Sequence, residues 1–134
     1  MDTDKKIEKF LSSKKFGVAG ASADRNKYGN KVLRCYQMNN LPVIPINPKV
    51  SEIEGITAVA SVKDLPEEVE SLSIITPPLV TERIVGEAIA KGIKNIWMQI
   101  GSESEKAIEL CERAGINTIA DGSCILVVLG YREH

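Results

Sequence analysis

The residues best placed to do chemistry in this 134-residue chain sit just after its first apolar run. Phe16–Ala19 (FGVA) is followed by Gly20, Ala21 and Ser22, then Ala23-Asp24-Arg25-Asn26-Lys27, then Tyr28, Gly29 and Asn30 opening a helical stripe. A glycine after a strand lets backbone N–H groups approach an anion closely, and a following helix start points its free N–H groups at the same place. Ser22 adds a hydroxyl, and Arg25 and Lys27 add cations beside the loop. This is the chemistry of pyrophosphate binding. A side chain at Gly20 is expected to fill the phosphate space, and Gly29 to keep the helix from crowding the ligand. The spacing is not G-x-G-x-x-G, so the common dinucleotide fingerprint is absent.

A second loop, Asn47-Pro48-Lys49, follows another apolar run. An NAD site wants a carboxylate there to hold the ribose hydroxyls. An amide and a cation suit a ribose carrying an extra phosphate, as in coenzyme A or NADP. A third loop, Thr76-Pro77-Pro78, ends a later apolar run rigidly. It suits the wall of an adenine or pantetheine site and equally a plain helix-entry turn. Gln99, near the end of a later strand, is within reach of the same crevice as an open alternative to a core position.

A catalytic centre is harder to find. His134 is the one histidine and the last residue, so a histidine-based triad or phosphohistidine is not expected. Cys35, Cys111 and Cys124 match neither a disulfide framework nor a paired zinc pattern, and they read as free thiols. Cys124 follows Asp121-Gly122-Ser123; a nucleophilic cysteine wants a base or cation nearby, and the local sequence offers only the Asp121 carboxylate. Glu67-Glu68 and Glu103/Glu105 read as solvated surface.

Strand-like and helix-like segments alternate around these loops. Helical spacing covers Asp4–Ser12, Tyr28–Met38, Val80–Lys91 and Ser104–Ala114, with Gly92 and Gly115 as stops. Strand-like runs are Phe16–Ala19, Pro42–Ile46, Ser71–Thr76, Asn95–Ile100 and Asn117–Ala120, with a shorter candidate at Thr57–Ala60. Pro42 and Pro45 place the second run near a sheet edge, because proline cannot donate to a ladder. Ile125–Leu129 (ILVVL) reads as a last strand or a packed tail. Strands separated by helices imply an α/β fold with an open, mostly parallel sheet and helices on both faces. Ligands of such sheets bind beyond the carboxyl ends of the strands, at the switch in strand order.

The bulk numbers agree. The length fits one domain, with 1–14 as a leader helix segment and 125–134 as a tail. A formal net charge of −1 gives no drive toward nucleic acid or an anionic membrane. No apolar run approaches a membrane span, and the start of the chain lacks a secretory pattern. Cytoplasmic residence is expected.

Taken in order, VAGAS (Val18–Ser22), KYGNKVLR (Lys27–Arg34), PVIPINPK (Pro42–Lys49), EIEGITAVASVKDLPEEV (Glu52–Val69), TPP (Thr76–Pro78) and IKNIWMQIG (Ile93–Gly101) resemble the coenzyme A-binding domain family. These are small stand-alone Rossmann-like proteins related to the nucleotide-binding domain of the succinyl-coenzyme A synthetase α subunit. The resemblance covers Lys15–Cys124. It implies coenzyme A or acyl-coenzyme A as ligand. Gly20, Ala21 and Ser22 with the Tyr28-Gly29-Asn30 helix start would hold the pyrophosphate, and Asn47, Pro48 and Lys49 would meet the adenosine phosphate end. Thr76, Pro77 and Pro78 would border the site. The synthetase histidine belongs to a separate domain that this chain does not contain, so the resemblance implies a binding module without its own catalytic centre, acting as carrier, sensor or partner subunit. An NADP-binding reductase-like domain is the alternative. Stand-alone relatives usually carry an Arg-Cys pair where this chain has Ser123-Cys124. The apolar tail from Ile125 suits packing, or pairing as a homodimer or with a partner protein.

Overall fold

The computed structural model describes residues 2–133, so His134 lies outside the described residues. Five parallel strands form one sheet in the order β2-β1-β5-β6-β7. They are β1 (Lys15–Ala19), β2 (Val43–Ile46), β5 (Val69–Ile74), β6 (Asn95–Met98) and β7 (Asn117–Ile119). The hairpin β3 (Glu52–Ile53) and β4 (Ile56–Thr57) stands apart. Helices α1 (Thr3–Leu11), α2 (Tyr28–Met38), α3 (Pro78–Lys91), α4 (Glu105–Arg113) and α5 (Ile125–Val128) complete the chain.

Short strands rich in Val, Ile and Leu are buried on both faces, as a parallel sheet covered by helices requires. On one face Phe10, Phe16, Leu33, Tyr36, Trp97, Ile119 and Ile125 pack under α1, α2 and α5. On the other, Leu72, Ile74, Val85, Ile96, Met98 and Cys111 pack under α3 and α4. Phe10 meets Trp97 edge-on at 5.3 Å between centroids, and Phe16 stacks on Tyr36 at 5.0 Å. These rings fix α1 and α2 against the sheet. Ser104 caps α4 by accepting from Ala107 N–H, and Gly92 closes α3 at φ +87°.

Proline sits in β2 because β2 is an edge. Its outer side carries one bridge, in which Val59 N–H donates to the Pro45 carbonyl, and the Val59 carbonyl accepts from Asn47 N–H. The expected strand at Thr57–Ala60 is therefore reduced to β4 plus this single bridge, and the small hairpin with β3 was not anticipated. Its turn needs Glu54 and Gly55 at positive φ (50° and 80°), which the sequence Glu-Gly signals only weakly. Ile125–Leu129 is no strand either. It forms the one-turn helix α5, because β7 is already the sheet edge and the segment leaves the sheet to bury Ile125 beside α2.

Strand order reverses between β1 and β5: the chain moves from β1 outward to β2, then returns to β5 on the opposite side of β1. The carboxyl ends of β1 and β5 are thus the switch point, where α/β sheets open a crevice.

Candidate functional site

The crevice at that switch is built on two glycines. Gly20 follows β1 at φ +91°, and a Cβ there would lie 1.9 Å from the Ile75 carbonyl oxygen. A Cβ on Gly29 would lie 2.0 Å from the Gly20 carbonyl oxygen. The first turn of α2 therefore rests directly on the β1 loop. Both glycines are required by backbone meeting backbone. The sequence-based expectation that a side chain at Gly20 fills phosphate space is corrected: it would collide with the end of β5 instead.

Polar side chains lock this loop. Asn30, fully buried, donates from Nδ2 to the Ser22 carbonyl (2.8 Å) and to Glu54 Oε2 (3.1 Å), while its Oδ1 accepts from Arg34 Nε (2.7 Å). Arg34 also donates to the Arg25 carbonyl at 2.9 Å. Asn47 donates from Nδ2 to the Ala21 carbonyl (3.0 Å) and accepts on Oδ1 from the N–H groups of Lys49 (2.7 Å) and Val50 (3.2 Å). The two asparagines thus hold the β1 loop from opposite sides, and their amides are spent on the fold.

The N-terminus of α2 remains open. Its cap residue, Lys27, makes no side-chain capping bond, and the first turn holds no acidic residue. The N–H groups of Tyr28 and Gly29 precede any carbonyl a helix could give them, so a partial positive charge faces the crevice. Ser22 Oγ accepts from Asp24 N–H at 3.1 Å and keeps its own proton to donate.

Two adjoining hollows follow from this geometry. One, of about 460 Å³, is lined by Gly20, Ala21, Ser22, Lys27, Tyr28, Gly29, Asn47 and Ile75. The other, of about 420 Å³, runs between the end of β2 and α3, over an apolar floor of Ala19, Ile46, Val62, Val80 and Ile84. Pro48, Thr76, Arg83 and Glu87 stand at its rim. Gly20, Ala21 and Asn47 belong to both, so the hollows form one groove across the switch.

Nine of the sequence-derived residues line this groove: Gly20, Ala21, Ser22, Lys27, Tyr28, Gly29, Asn47, Pro48 and Thr76. Five stand outside its lining. Arg25 pairs with Glu54 (Nε to Oε2, 3.3 Å). Asn30 is buried behind the loop, and Lys49 is exposed beyond the turn. Pro77 and Pro78 cap and start α3. Thr76 is itself held by Ser102 Oγ, which accepts from its N–H at 3.0 Å, and by Thr81 Oγ1 at 2.7 Å. Arg83, Glu87, Val80 and Ile84 were not singled out for the site, although Arg83 and Glu87 are one helical turn apart and share a face. That α3 turns this face to the groove is a tertiary fact.

A second polar cluster adjoins the groove on the β6 side. Tyr28 Oη lies 2.6 Å from Cys124 Sγ and 3.2 Å from Gln99 Oε1. Burial, and then the bond to Cys124, push the Tyr28 phenol well above its ordinary range. Burial pushes the Cys35 and Cys111 thiols up to about 11. The Asp121 carboxyl, bonded first by the Ser123 hydroxyl and next by that of Thr3, is held down at about 2. All three cysteines are free. Trp97 is fully buried and donates its indole N–H to the Ser123 carbonyl at 2.9 Å. Among the described residues no cluster of His, Cys, Asp and Glu is suited to a metal ion, and no helix is long and apolar enough to cross a membrane.

An open parallel α/β sheet, a glycine loop against an uncapped helix start, and a groove at the topological switch define a Rossmann-like binding domain. Within that class the chain belongs to the CoA binding domain family, whose family model matches residues 14–130. It is 32% identical over 126 residues to the acetate–CoA ligase (ADP-forming) II subunit alpha of Pyrococcus furiosus, covering 84% of this chain and 27% of that subunit. It is 25% identical to the uncharacterised protein YneT of Bacillus subtilis, covering 86% of this chain and 84% of the relative. Its structure is similar to that of a conserved hypothetical protein from Pyrococcus furiosus, with a TM-score of 0.82, 36% identity, and 86% and 98% of the two chains covered. The chain spans between 12% and 27% of the length of the acetate–CoA ligases it matches.

Proposed function

We propose that this chain is a coenzyme A-binding module that leaves acyl chemistry to another protein. The observation that carries this reading is the continuous groove across the β1/β5 switch, with the uncapped start of α2 at one end and an apolar hollow at the other. Pyrophosphate fits the α2 end, where Gly20–Ser22, the Tyr28 and Gly29 N–H groups and Lys27 meet it. Adenine fits the apolar hollow between Pro48, Val62 and Ile84. Membership of the CoA binding domain family supports coenzyme A over NADP as the ligand. The place after β2, where Asn47 begins a turn and no carboxylate is offered to ribose hydroxyls, disfavours NAD.

A binding module fits the chemistry present. Catalysis needs a group that stabilises the transition state better than the ground state. Among the described residues the groove lining holds no histidine, and its carboxylate, Glu87, stands beside the apolar hollow. The ligases that this chain resembles over a fraction of their length support a partner protein as the supplier of that chemistry.

Calorimetric titration with coenzyme A, dephospho-coenzyme A, NADP and NAD tests the reading. Coenzyme A should bind most tightly, and at a hundredfold excess over its dissociation constant it should stabilise the fold by about 2.7 kcal/mol. NADP or NAD binding more tightly than coenzyme A refutes the proposal.

A further inference from the structure

Arg34, midway along α2, is 8% exposed. Its Nε donates to Asn30 Oδ1 at 2.7 Å and its Nη2 to the Arg25 carbonyl at 2.9 Å. Both acceptors are neutral, and a buried cation is costly until an anion meets it. That anion is Glu133, whose Oε1 lies 3.7 Å from Arg34 Nη2 in the one ion pair Arg34 makes among the described residues. Glu133 also pairs with Lys31 Nζ at 3.3 Å, because Lys31 and Arg34, three residues apart, share a face of α2. The Tyr131 ring covers the guanidinium, with Arg34 Cζ 5.7 Å from its centroid. Its hydroxyl donates to Glu133 Oε1 at 3.2 Å. Gly130, at φ +69°, turns the chain after α5, and Tyr131 N–H donates back to the Leu126 carbonyl at 2.7 Å. Residues 131–133 thus form a strap across α2, anchored on α5. They lie beyond the part of the chain that the family model matches, which ends at residue 130.

Arg34 touches the strap on one side and the phosphate loop on the other. The Arg25 carbonyl that it holds, and the Ser22 carbonyl that Asn30 holds at 2.8 Å, are backbone of the loop whose Ser22 and Lys27 line the groove. Arg34 Nε also orients the Asn30 amide: Oδ1 must face the guanidinium, so Nδ2 faces Ser22. When the strap leaves, Arg34 loses its anion and its ring cover. A guanidinium left with neutral partners turns toward water on its flexible stem. The Asn30 amide and the two carbonyls lose their restraint, and the loop loosens where phosphate binds.

We propose that the strap Tyr131–Glu133 positions the phosphate loop through Arg34, so that strap docking and coenzyme binding strengthen each other. This rests on the coenzyme A-binding reading above. Neither Tyr131 nor Glu133 lines the groove, so both act as positioning residues. Coupling of this kind is reciprocal. The factor by which the docked strap raises ligand affinity is the factor by which ligand favours strap docking.

The test uses the full chain. Calorimetry measures coenzyme A affinity for the unaltered protein, Tyr131→Ala and Tyr131→Phe. Tyr131→Ala should weaken binding about three- to fivefold, the effect of a lost cation–π contact passed on to the loop. Tyr131→Phe keeps the ring over the guanidinium and should bind as the unaltered chain does. Hydrogen exchange on the unaltered chain reads the coupling from the other end. Saturating coenzyme A should slow exchange of the Tyr131 amide by a similar factor, about three- to fivefold. That measurement needs no variant and decides the matter even if Tyr131→Ala fails to fold. Unchanged affinity in Tyr131→Ala, an equal loss in Tyr131→Phe, or a Tyr131 amide whose exchange coenzyme A leaves unchanged overturns the proposal. An unaltered chain that binds no coenzyme A fails the earlier reading instead, and its own titration tells the two failures apart.

Discussion

The two sides of the groove are built on opposite terms. On the β1/β2 side the two asparagines that shape the loop are paired, both of them to its backbone, and two glycines let α2 rest on the β1 loop and that loop rest on the end of β5. On the β6 side an amide nitrogen is orphaned, and a free thiol meets only a phenol that also leans on Gln99. One side is held by its own hydrogen bonds, and the other keeps an unpaired donor. A loop already pinned by its own bonds has little left to order, whereas an unpaired buried donor costs the protein about 1–3 kcal/mol.

Gly29→Ala should break the comparison most severely. A Cβ 2.0 Å from a backbone oxygen forces α2 off the loop, at a cost of about 3 kcal/mol. Gly122, on the other side, also has positive φ (90°) but open space around its absent Cβ. Gly122→Ala should cost only the left-handed strain, about 1 kcal/mol. Urea denaturation of both variants checks this, and equal losses would show that close approach is not what sets the completed side.

Asn47→Ala comes next. It removes a donor to Ala21 and an acceptor for Lys49 and Val50, and should cost about 2 kcal/mol. Coenzyme A affinity, measured by calorimetry, should fall with it because the loop loosens. If stability falls and affinity does not, the asparagine shapes the turn without shaping the site.

Arg83→Ala and Lys49→Ala sharpen the adenosine end. Arg83 stands at the groove rim and makes none of the ion pairs found among the described residues, whereas Lys49 lies beyond the turn. Arg83→Ala should weaken coenzyme A by about 1 kcal/mol and dephospho-coenzyme A much less. A larger effect from Lys49→Ala would return the extra phosphate to the loop after β2.

The smallest effect is acid sensitivity at the β7 end. Asp121 is held at about 2, below its ordinary 3.8, by Ser123 and Thr3. A lowered carboxyl contributes stability that is present above about pH 4 and fades as pH falls toward 2. Asp121 is exposed, so solvent screens much of the gain. Asp121→Asn should flatten the decline in urea midpoint between pH 4 and pH 2 slightly; an unchanged slope would assign that decline to other groups.

The sequence by itself determined the alternation of elements, the parallel sheet, β2 as an edge, and the loops at the carboxyl ends. Each follows from local signals: apolar runs of strand length, stripes at helical spacing, Pro45 in a short strand, and glycine after Ala19. It also carried the family, because VAGAS, YGNKV and PINPK are local strings. Only the tertiary structure decided what those residues do to one another. It showed Gly20 and Gly29 to be needed by each other's backbone surroundings, Asn30 and Asn47 to be spent on the loop, Ile125–Val128 to be a helix beside α2, and α3 to turn Arg83 and Glu87 toward the groove. It also brought Tyr28, Gln99 and Cys124 together from positions 71 and 96 residues apart in sequence. Periodicity reports which side of an element is buried. It does not report which distant element, or which atom, lies against it, because that is fixed by strand order and crossovers and not by any local run of residues.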